Sequence, residues 1–423
     1  MPQSSLSPPG AFTRYQKFVV GVLAFLQFTL VLDFMMLAPL GPLVIPALHI
    51  TTAQFGLVVS SYAFSAGASG LLAAGFADRY DRKTLLLLFY GGFMAGTLLC
   101  GIATTYAFLL FARMVTGVFA GIVGSVSFAI ITDLFPLQMR GRVMGVIQAA
   151  FGASSVLGIP VALVVSNRWG WNGPYLMIVA LGTAAGFVIR GYLKPVDAHL
   201  KLQPDRNPLH HLIHTVTNGR YLLGFMATGL LSIGGFMLMP FASVFNVENV
   251  GLPVERLPLL FLATGLFSFV SGPLIGRACD AFGKIRVFAF GCAVTIVMVV
   301  IYTHLGPNPF WLLLIVSVVL QVGIFSRIIA ASALTSALPV PADRGSYMSI
   351  SSSLQQVSGG IASLIAGVVV VQLPSGVLQH FDRLGYILVG TTLVSLVLMI
   401  RVDRRIVSEQ GPGEIDTAAV VAK

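Results

Sequence analysis

The stretch that decides the fold is FVVGVLAFLQFTLVLDFMMLAPLG, residues 18–41, where a single charged side chain, Asp33, stands among 24 residues. A bilayer core about 30 Å thick needs about 20 apolar residues in one helix. This run meets that length, and it is longer than the apolar core of a cleaved signal peptide. It therefore predicts a first transmembrane helix that stays in the protein.

Eleven further apolar runs follow along the 423 residues. Only 9% of the residues are charged and 56% are hydrophobic, whereas soluble domains carry about 25% charged residues. This composition argues against a soluble enzyme, a nucleic-acid-binding domain and a disordered scaffold. The sequence predicts an all-α membrane protein with twelve transmembrane helices, at 18–41, 53–77, 84–105, 106–132, 142–166, 172–193, 221–246, 257–278, 285–305, 308–338, 346–372 and 384–401.

The basic residues fall mostly on one side of the predicted membrane. Twenty of the 25 Lys and Arg residues lie in alternate loops and near the two termini, and three lie in loops on the opposite side. Cytoplasmic loops accumulate Lys and Arg, so both termini are predicted to be cytoplasmic. The net charge of +10 and the pI of 9.8 then reflect topology, and no nucleic-acid partner is expected.

The chain contains an internal repeat. Phe34 in the first span and Phe236 in the seventh are 202 residues apart, and Arg140 and Arg344 are 204 apart. Two pseudo-symmetric six-helix bundles are predicted at 1–193 and 221–401, with a cytoplasmic linker at 194–220 and a disordered cytoplasmic tail at 402–423. Duplicated halves with a site between them at the membrane midplane are typical of secondary transporters.

Three short motifs resemble those of a known family. The loop Ala74-Gly75-Phe76-Ala77-Asp78-Arg79-Tyr80-Asp81-Arg82-Lys83 is similar to the signature between helices 2 and 3 of the major facilitator superfamily, with Ala74 and Asp81 where the family usually has Gly. Arg113-x3-Gly117-x3-Gly121 resembles a motif of proton-coupled members, and Gly152-x5-Gly158-Ile159-Pro160 resembles, in degenerate form, a motif of antiporters. The resemblance implies the major facilitator fold and points to the drug:proton antiporter branch.

The resemblance also implies a latch on the cytoplasmic side, made of Asp78, Arg79, Arg82, Asp133 and Asp280. The Asp78 carboxylate can satisfy unpaired N–H groups at the start of helix 11, where the dipole favours negative charge. Arg82 is expected to pair with Asp133, and Asp280 is the repeat equivalent of Asp78. The alternative is that the basic side chains of this loop only contact lipid head groups and fix the topology.

Charged residues inside the predicted spans mark the candidate functional site. Asp33 is the one acid of 15 that lies well within a span, and Arg113 and Arg327 are the deeply placed bases. An intramembrane charge costs several kcal/mol unless it is paired or hydrated. At 1.5 Å per residue, Asp33 lies about 10 Å below the outer edge, and Arg113 lies at a matching depth in helix 4. We therefore predict that Asp33 and Arg113 form a proton-coupling pair.

Such a pair can couple a proton to transport. Removal of water favours the neutral carboxyl and a nearby guanidinium favours the ionised form, so a change of distance or hydration can load and release a proton. The alternatives are a structural hydrogen bond for Asp33 and an Arg113 side chain that extends to the outer interface. All seven His residues fall in or near loops, so His is not expected to be the main relay.

Other polar and flexible side chains are candidates for a substrate cavity. Arg327 suits a substrate anion, although helix carbonyls or a water pocket can also satisfy it. The remaining candidates are Gln27, Met36, Tyr62, Gln148, Met237, Gln321 and Gln355. Hydrogen bonding between helices and core packing are the alternatives for these side chains. Gly117 and Gly121 are interpreted as close-packing positions.

Residue spacings disfavour enzymatic and metal chemistry. No nucleophile set, phosphate-binding loop or metal-ligand spacing stands where it can work, so neither an enzyme nor a cofactor other than the coupling proton is expected. The three Cys residues lie in apolar runs, which favours core packing. The cluster His210-His211-x2-His214 lacks acidic or Cys partners and is interpreted as part of a solvated linker.

These observations favour a gradient-driven transporter. The first hypothesis is proton-driven efflux of small, mostly apolar compounds by a monomer in the bacterial inner membrane, with lipids as its other partners. The first alternative is proton-coupled uptake of an anionic metabolite, which Arg113 and Arg327 suit electrostatically. The second is a membrane receptor or lipid-handling protein without coupled transport.

Overall fold

The computed structural model describes residues 12–76, 80–197, 215–340 and 343–410. Its helices are α1 (Arg14–Met36), α2 (Gly41–Leu48), α3 (Thr52–Phe76), α4 (Arg82–Gly101), α5 (Tyr106–Leu134), α6 (Leu137–Ala153), α7 (Ile159–Trp169), α8 (Gly173–Tyr192), α9 (Gly219–Phe236), α10 (Ala242–Glu248), α11 (Leu257–Phe282), α12 (Lys284–Thr303), α13 (Phe310–Thr335), α14 (Arg344–Val369) and α15 (Phe381–Gln410). A π-helical turn spans Ser154–Gly158, a 3₁₀ turn spans Val254–Arg256, and two short strands, β1 (Val371–Gln372) and β2 (Leu378–Gln379), pair antiparallel.

The helices account for all the predicted membrane spans. Within the described ranges, nine segments are long and apolar enough to cross a membrane. The other three predicted spans correspond to α6 with the π turn and α7, to α9, whose apolar part is shorter, and to α14, which carries several Ser and Gln side chains. The prediction of a helical, multi-pass membrane protein is confirmed. The short β1–β2 hairpin is not predicted from the sequence.

The first helix of each half is shorter than predicted, because a proline follows it. α1 ends at Met36 before Pro39, and α9 ends at Phe236 before Pro240. Proline lacks a backbone N–H, and it disfavours helical geometry in the residue before it. In both halves the chain turns and continues as a short helix, α2 or α10. The predicted single helices at 18–41 and 221–246 are corrected accordingly, and the shared interruption agrees with the internal repeat.

The predicted helix at 142–166 is also interrupted, by the π turn Ser154–Gly158. The turn packs on α1, since Ser154 Oγ donates a hydrogen bond to the carbonyl oxygen of Phe28 at 2.9 Å. A Cβ atom on Gly158 would lie only 2.8 Å from Leu32 Cδ1. Pro160, which follows the turn at the start of α7, has no N–H to donate to the preceding turn. The antiporter-like motif therefore shapes a local change of helix geometry beside α1.

The chain packs into two units. The first unit comprises Met1–Ile50, Leu57–Arg206 and Pro253–Gly265, and the second comprises Thr51–Gly56, Asn207–Leu252 and Leu266–Lys423. The division does not follow chain order throughout. The first residues of α3 belong to the second unit, and the first residues of α11 belong to the first unit. Within the second unit, Thr52 Oγ1 donates to the carbonyl oxygen of Val370 at 2.6 Å. Within the first, a Cβ on Gly265 would lie 2.9 Å from Val156 Cα.

The last helix extends beyond its predicted end. α15 continues to Gln410, whereas the last span was predicted to end at 401. The predicted disordered tail is therefore corrected for residues 402–410, where charged residues such as Arg404 and Arg405 are good helix formers in water. Residues 411–423 and linker residues 198–214, with the His cluster, lie outside the described residues.

Candidate functional site

Asp33 and Arg113 form a fully buried ion pair in the first unit. Arg113 Nη1 donates to Asp33 Oδ2 at 2.9 Å and to the backbone oxygen of Asp33 at 3.2 Å. Both side chains are 0% exposed. The structure thus brings together the acid and the base that the sequence places at one depth, and Arg113 does not extend to the outer interface.

Thr97 and Tyr62 contact this pair, and the Cys100 thiol in α4 also interacts with Arg113. Thr97 Oγ1 in α4 lies 3.3 Å from Asp33 Oδ1 and 2.9 Å from the carbonyl oxygen of Phe93, and its single proton can serve one of these acceptors at a time. The ring of Tyr62 in α3 lies 4.4 Å from Arg113 Cζ, in a cation–π contact. Arg113 therefore contacts both a carboxylate and an aromatic face. Tyr62, predicted to line a substrate cavity, belongs to this buried site.

Close helix packing positions Arg113. One turn after it, a Cβ on Gly117 would lie 2.5 Å from the carbonyl oxygen of Tyr62, and on Gly121 a Cβ would overlap the carbonyl oxygen of Ala66. Only residues without a side chain allow α5 to approach α3 this closely. These contacts agree with the interpretation of Gly117 and Gly121 as packing positions. They also set the distance between Arg113 and Tyr62.

The buried site keeps unused hydrogen-bonding capacity. Within the described part of the chain, Arg113 Nε and Nη2 and the Tyr175 hydroxyl have no hydrogen-bond partner. An unpaired buried polar group costs about 1–3 kcal/mol, so these groups favour any rearrangement that hydrates them. Neither Thr97 nor Tyr175 is singled out by the sequence, because a lone hydroxyl in an apolar helix does not reveal which neighbour it faces.

The predicted latch is described in part. Asp78 and Arg79 lie outside the described residues. Arg82 Nε and Asp133 Oδ2 are 3.1 Å apart, with side chains 5% and 18% exposed, so the pair implied by the family resemblance is present. Asp280 at the end of α11 is exposed.

Asp81, which stands where the family usually has Gly, caps the start of α4. Its Oδ2 accepts hydrogen bonds from the backbone N–H of Thr84 at 3.0 Å and from Thr84 Oγ1 at 2.8 Å. Its Oδ1 accepts one from the N–H of Val196 at 2.7 Å, and Arg82 donates its N–H to the carbonyl oxygen of Val196. Burial acts to raise the pKa of Asp81, but the hydrogen bonds from Thr84, Val196 and Lys83 outweigh it and hold the pKa below its usual value. Asp81 thus ties the segment after α8 to α4.

The other predicted cavity residues differ in exposure. Gln27 and Gln321 are half-buried and Gln355 is exposed. Met36 and Met237 are both 0% exposed, which favours the core-packing alternative for them. The Gln148 side chain lies outside the described residues.

Arg327 in α13 is buried in the second unit, and no acidic side chain among the described residues forms an ion pair with it. The residue is 1% exposed, and among the described residues neither its Nε nor its Nη2 has a hydrogen-bond partner. The Cys292 thiol in α12 interacts with the guanidinium. On its α9 side, a Cβ on Gly234 would lie 3.5 Å from Arg327 Nη2. Arg327 therefore differs from Arg113, which has Asp33 beside it.

A cavity of about 630 Å³ lies elsewhere in the second unit, between the end of α14 and the start of α15. Its lining includes Val368, Val371, His380, Arg383 and Tyr386. None of the predicted cavity residues lines it, so it is not the predicted substrate site.

Comparison with known sequences identifies relatives of the chain. The family profile of the Major Facilitator Superfamily matches residues 23–246 and 224–423. The MFS-type transporter YtbD of Bacillus subtilis is 25% identical over 266 residues, which cover 63% of this chain and 66% of that protein. Multidrug resistance protein 3 of Bacillus subtilis is 33% identical over 152 residues, which cover 36% of this chain and 30% of that protein. The chain thus matches slightly less than two thirds of YtbD and under one third of the multidrug protein.

Comparison with solved structures shows the fold that the chain shares with known transporters. The bacterial homolog of the human lysosomal transporter Spinster aligns with a TM-score of 0.69 at 14% identity, covering 93% of this chain and 96% of that one. The nucleoside transporter NupG aligns with a TM-score of 0.71 at 15% identity, covering 91% of this chain and 99% of that one. At this identity the likeness concerns the fold alone. Because the family profile matches both halves, the chain belongs to the Major Facilitator Superfamily and is a multi-pass membrane transporter, not an enzyme.

Proposed function

We propose that this transporter is a proton-coupled exporter of small, mostly apolar compounds and that Asp33 and Arg113 are its proton-coupling pair. The observation that carries the proposal is the ion pair itself, 2.9 Å long and 0% exposed on both sides, between two helices that can span a membrane. Charges in such places are rare and mark ion or substrate pathways.

The Asp33–Arg113 pair has two charge states, and they differ in whether Arg113 needs partners other than Asp33. When Asp33 is ionised, the charges cancel and the site can remain sealed. When Asp33 is protonated, Arg113 carries an uncompensated buried charge, and its unused Nε and Nη2 need other partners. Proton uptake therefore favours an arrangement in which Arg113 is hydrated, and proton release favours the sealed one.

Access to the pair must alternate for the cycle to run. With both side chains fully buried, Asp33 cannot exchange a proton with water until neighbouring helices move. The π turn Ser154–Gly158 packs on α1 at Phe28 and Leu32, close in sequence to Asp33. Because π turns occur often at functional sites, we propose that this contact couples movement of α6 and α7 to hydration of the pair.

The proposed direction of transport and substrate class follow from a named relative and from the predicted cavity residues. The relative that matches 36% of this chain is named as a multidrug resistance protein. Within the described ranges, the half-buried cavity candidates Gln27 and Gln321 are uncharged, which suits apolar compounds with some hydrogen-bonding capacity. We place the monomeric exporter in the bacterial inner membrane, with cytoplasmic termini and the proton as its coupling ion.

The test is transport in proteoliposomes with an imposed pH gradient and pyranine trapped inside. Ethidium, a lipophilic cation, serves as the exported probe and benzoate as the anionic one. We expect ethidium movement against its gradient to require the pH gradient and to be accompanied by proton movement in the opposite direction. Asp33→Asn should abolish this coupled movement and retain ethidium binding, because the amide keeps the shape but carries no proton.

The matched control is Glu255→Gln, which neutralises an exposed acid in the 3₁₀ turn. It should transport like the wild type. Full gradient-driven transport by Asp33→Asn would disprove the role of Asp33. Proton movement in the same direction as benzoate would favour uptake of an anionic metabolite, and ligand binding without any proton flux would favour a receptor.

A further inference from the structure

We propose that Arg327 is the centre of an anion site in the second unit, which takes a small group with one negative charge. This inference does not rest on the proton-coupling proposal, because it concerns a different base and a different unit. It begins from the energetic state of Arg327. A guanidinium with 1% exposure, two of whose nitrogens have no hydrogen-bond partner in the described part of the chain, is strongly destabilising unless a counter-charge reaches it.

Arg327 cannot reach water along its own helix. It lies eight residues, about 12 Å, before the end of α13 at Thr335. Its backbone is locked against α12, since a Cβ on Gly291 would lie 3.0 Å from the Arg327 nitrogen and 2.8 Å from Ser326 Cβ. The side chain is therefore fixed in the bundle interior.

The internal repeat explains why no acid accompanies Arg327. The 202-residue offset that relates Phe34 to Phe236 aligns Asp33 with Gly235. Its neighbour Gly234 faces the guanidinium, because a Cβ there would lie 3.5 Å from Arg327 Nη2. Where the first half supplies a carboxylate to its arginine, the second half supplies glycine, and α9 contains no acidic residue. The glycine leaves the negative charge to be supplied from outside the chain.

The surroundings of the guanidinium suit an anion. A Cβ on Gly234 would also lie 2.9 Å from Thr391 Oγ1 in α15. This hydroxyl donates to the carbonyl oxygen of Leu388 at 2.9 Å, and its single proton can serve that oxygen or an entering anion, one at a time. Hydroxyl and guanidinium N–H groups are the donors that bind chloride and carboxylates. The two sources of such a charge are a free inorganic anion and the carboxylate of a transported compound.

The test is the thermal unfolding midpoint of the purified protein, measured as the concentration of sodium chloride is raised. Sodium HEPES, whose anion is bulky, replaces the chloride salt at the lower concentrations so that the ionic strength stays constant. A second arm replaces chloride with benzoate. For a free anion, the wild-type midpoint should rise with chloride and saturate. For a compound carboxylate, benzoate alone should produce the saturable rise. In either case Arg327→Met should lose the response, and its affinity for the active anion should fall about tenfold or more.

Two further variants complete the design. Arg286→Gln removes an exposed arginine at the start of α12 and should keep the full anion response. Gly234→Asp supplies a carboxylate from within, and this variant should become insensitive to both anions. The proposal is overturned if the wild type responds to neither anion, or if the response persists in Arg327→Met or in Gly234→Asp. Since the Gly234 variant tests the site without removing Arg327, a failure of Arg327→Met to fold does not remove the test.

Discussion

A double-mutant cycle on Asp33 and Arg113 tests whether the two side chains act as one energetic unit. The perturbations are Asp33→Asn, Arg113→Met and the combination of the two. Each single change leaves one charge in a site that is 0% exposed. Loss of one partner from a buried ion pair costs about 3–5 kcal/mol of unfolding free energy.

The expected coupling follows from the contacts. Independent effects would sum to about 6–10 kcal/mol in the double variant. The double variant buries neither charge, and its main loss is the cation–π contact with Tyr62, 4.4 Å from Arg113 Cζ, worth about 2 kcal/mol when desolvated. We therefore expect a double-variant cost of about 1–3 kcal/mol and a coupling energy of about 3 kcal/mol or more, at or above the top of the range usual for residues in contact.

The measurement is equilibrium unfolding in mixed micelles at neutral pH, followed by tryptophan fluorescence. The matched control is the same cycle on Arg82→Met and Asp133→Asn. Because the Asp133 side chain is 18% exposed, water screens that pair, and its coupling should be about 1 kcal/mol or less. Additivity of Asp33→Asn and Arg113→Met within about 0.5 kcal/mol would show that the buried pair is not an energetic unit.

Three further outcomes are expected. Arg113→Lys should keep less than half of the gradient-driven transport, because an ammonium is a point charge and cannot reproduce the guanidinium's contacts with both Asp33 and Tyr62; wild-type rates in proteoliposomes would contradict this. Asp81→Ala should lower the free energy of unfolding by about 1 kcal/mol at pH 7. Because the pKa of Asp81 is held below its usual value, this contribution is present above about pH 4 and is lost as the pH falls through the lowered pKa, so an equal loss at pH 7 and pH 2.5 would argue against the cap. Gly121→Leu should reduce the amount of folded protein recovered by size-exclusion chromatography far more than Gly124→Leu, since a Cβ at Gly124 meets nothing within 4 Å.

Most of the fold can be predicted because the membrane imposes a length. An apolar run such as residues 18–41 can only be a helix in lipid, and the 202-residue repeat divides the helices between two halves. The helix ends are less predictable. Pro39 and Pro240 end α1 and α9 early, although the apolar pattern continues through both. The π turn at Ser154–Gly158 likewise leaves no trace in hydropathy.

The sequence predicts how deep Asp33 and Arg113 lie in the membrane, but it does not predict which neighbouring side chains they face. Counting residues from the helix ends places Asp33 and Arg113 at one level, and the structure joins them at 2.9 Å. Which neighbours they face depends on the rotation of each helix, and a helix that is apolar all round does not encode its rotation. Thr97 and the stacking of Tyr62 on Arg113 could therefore not be predicted. Met36 and Met237 are fully buried, so for them a cavity wall stays a prediction, with core packing as the alternative.

The two halves differ in charge at one position of the repeat, which is Asp33 in the first half and Gly235 in the second. Each half buries a guanidinium beside the last turns of its first long helix, Arg113 at α1 and Arg327 at α9. A buried guanidinium requires a negative charge, and the chain supplies it at Asp33 but has Gly235 at the equivalent position. Where the charge is a carboxyl of the protein, its neutralisation can be switched only by a proton. Where glycine stands instead, we propose that an entering anion supplies the charge. We therefore expect the first half to respond to pH and the second half to respond to a ligand.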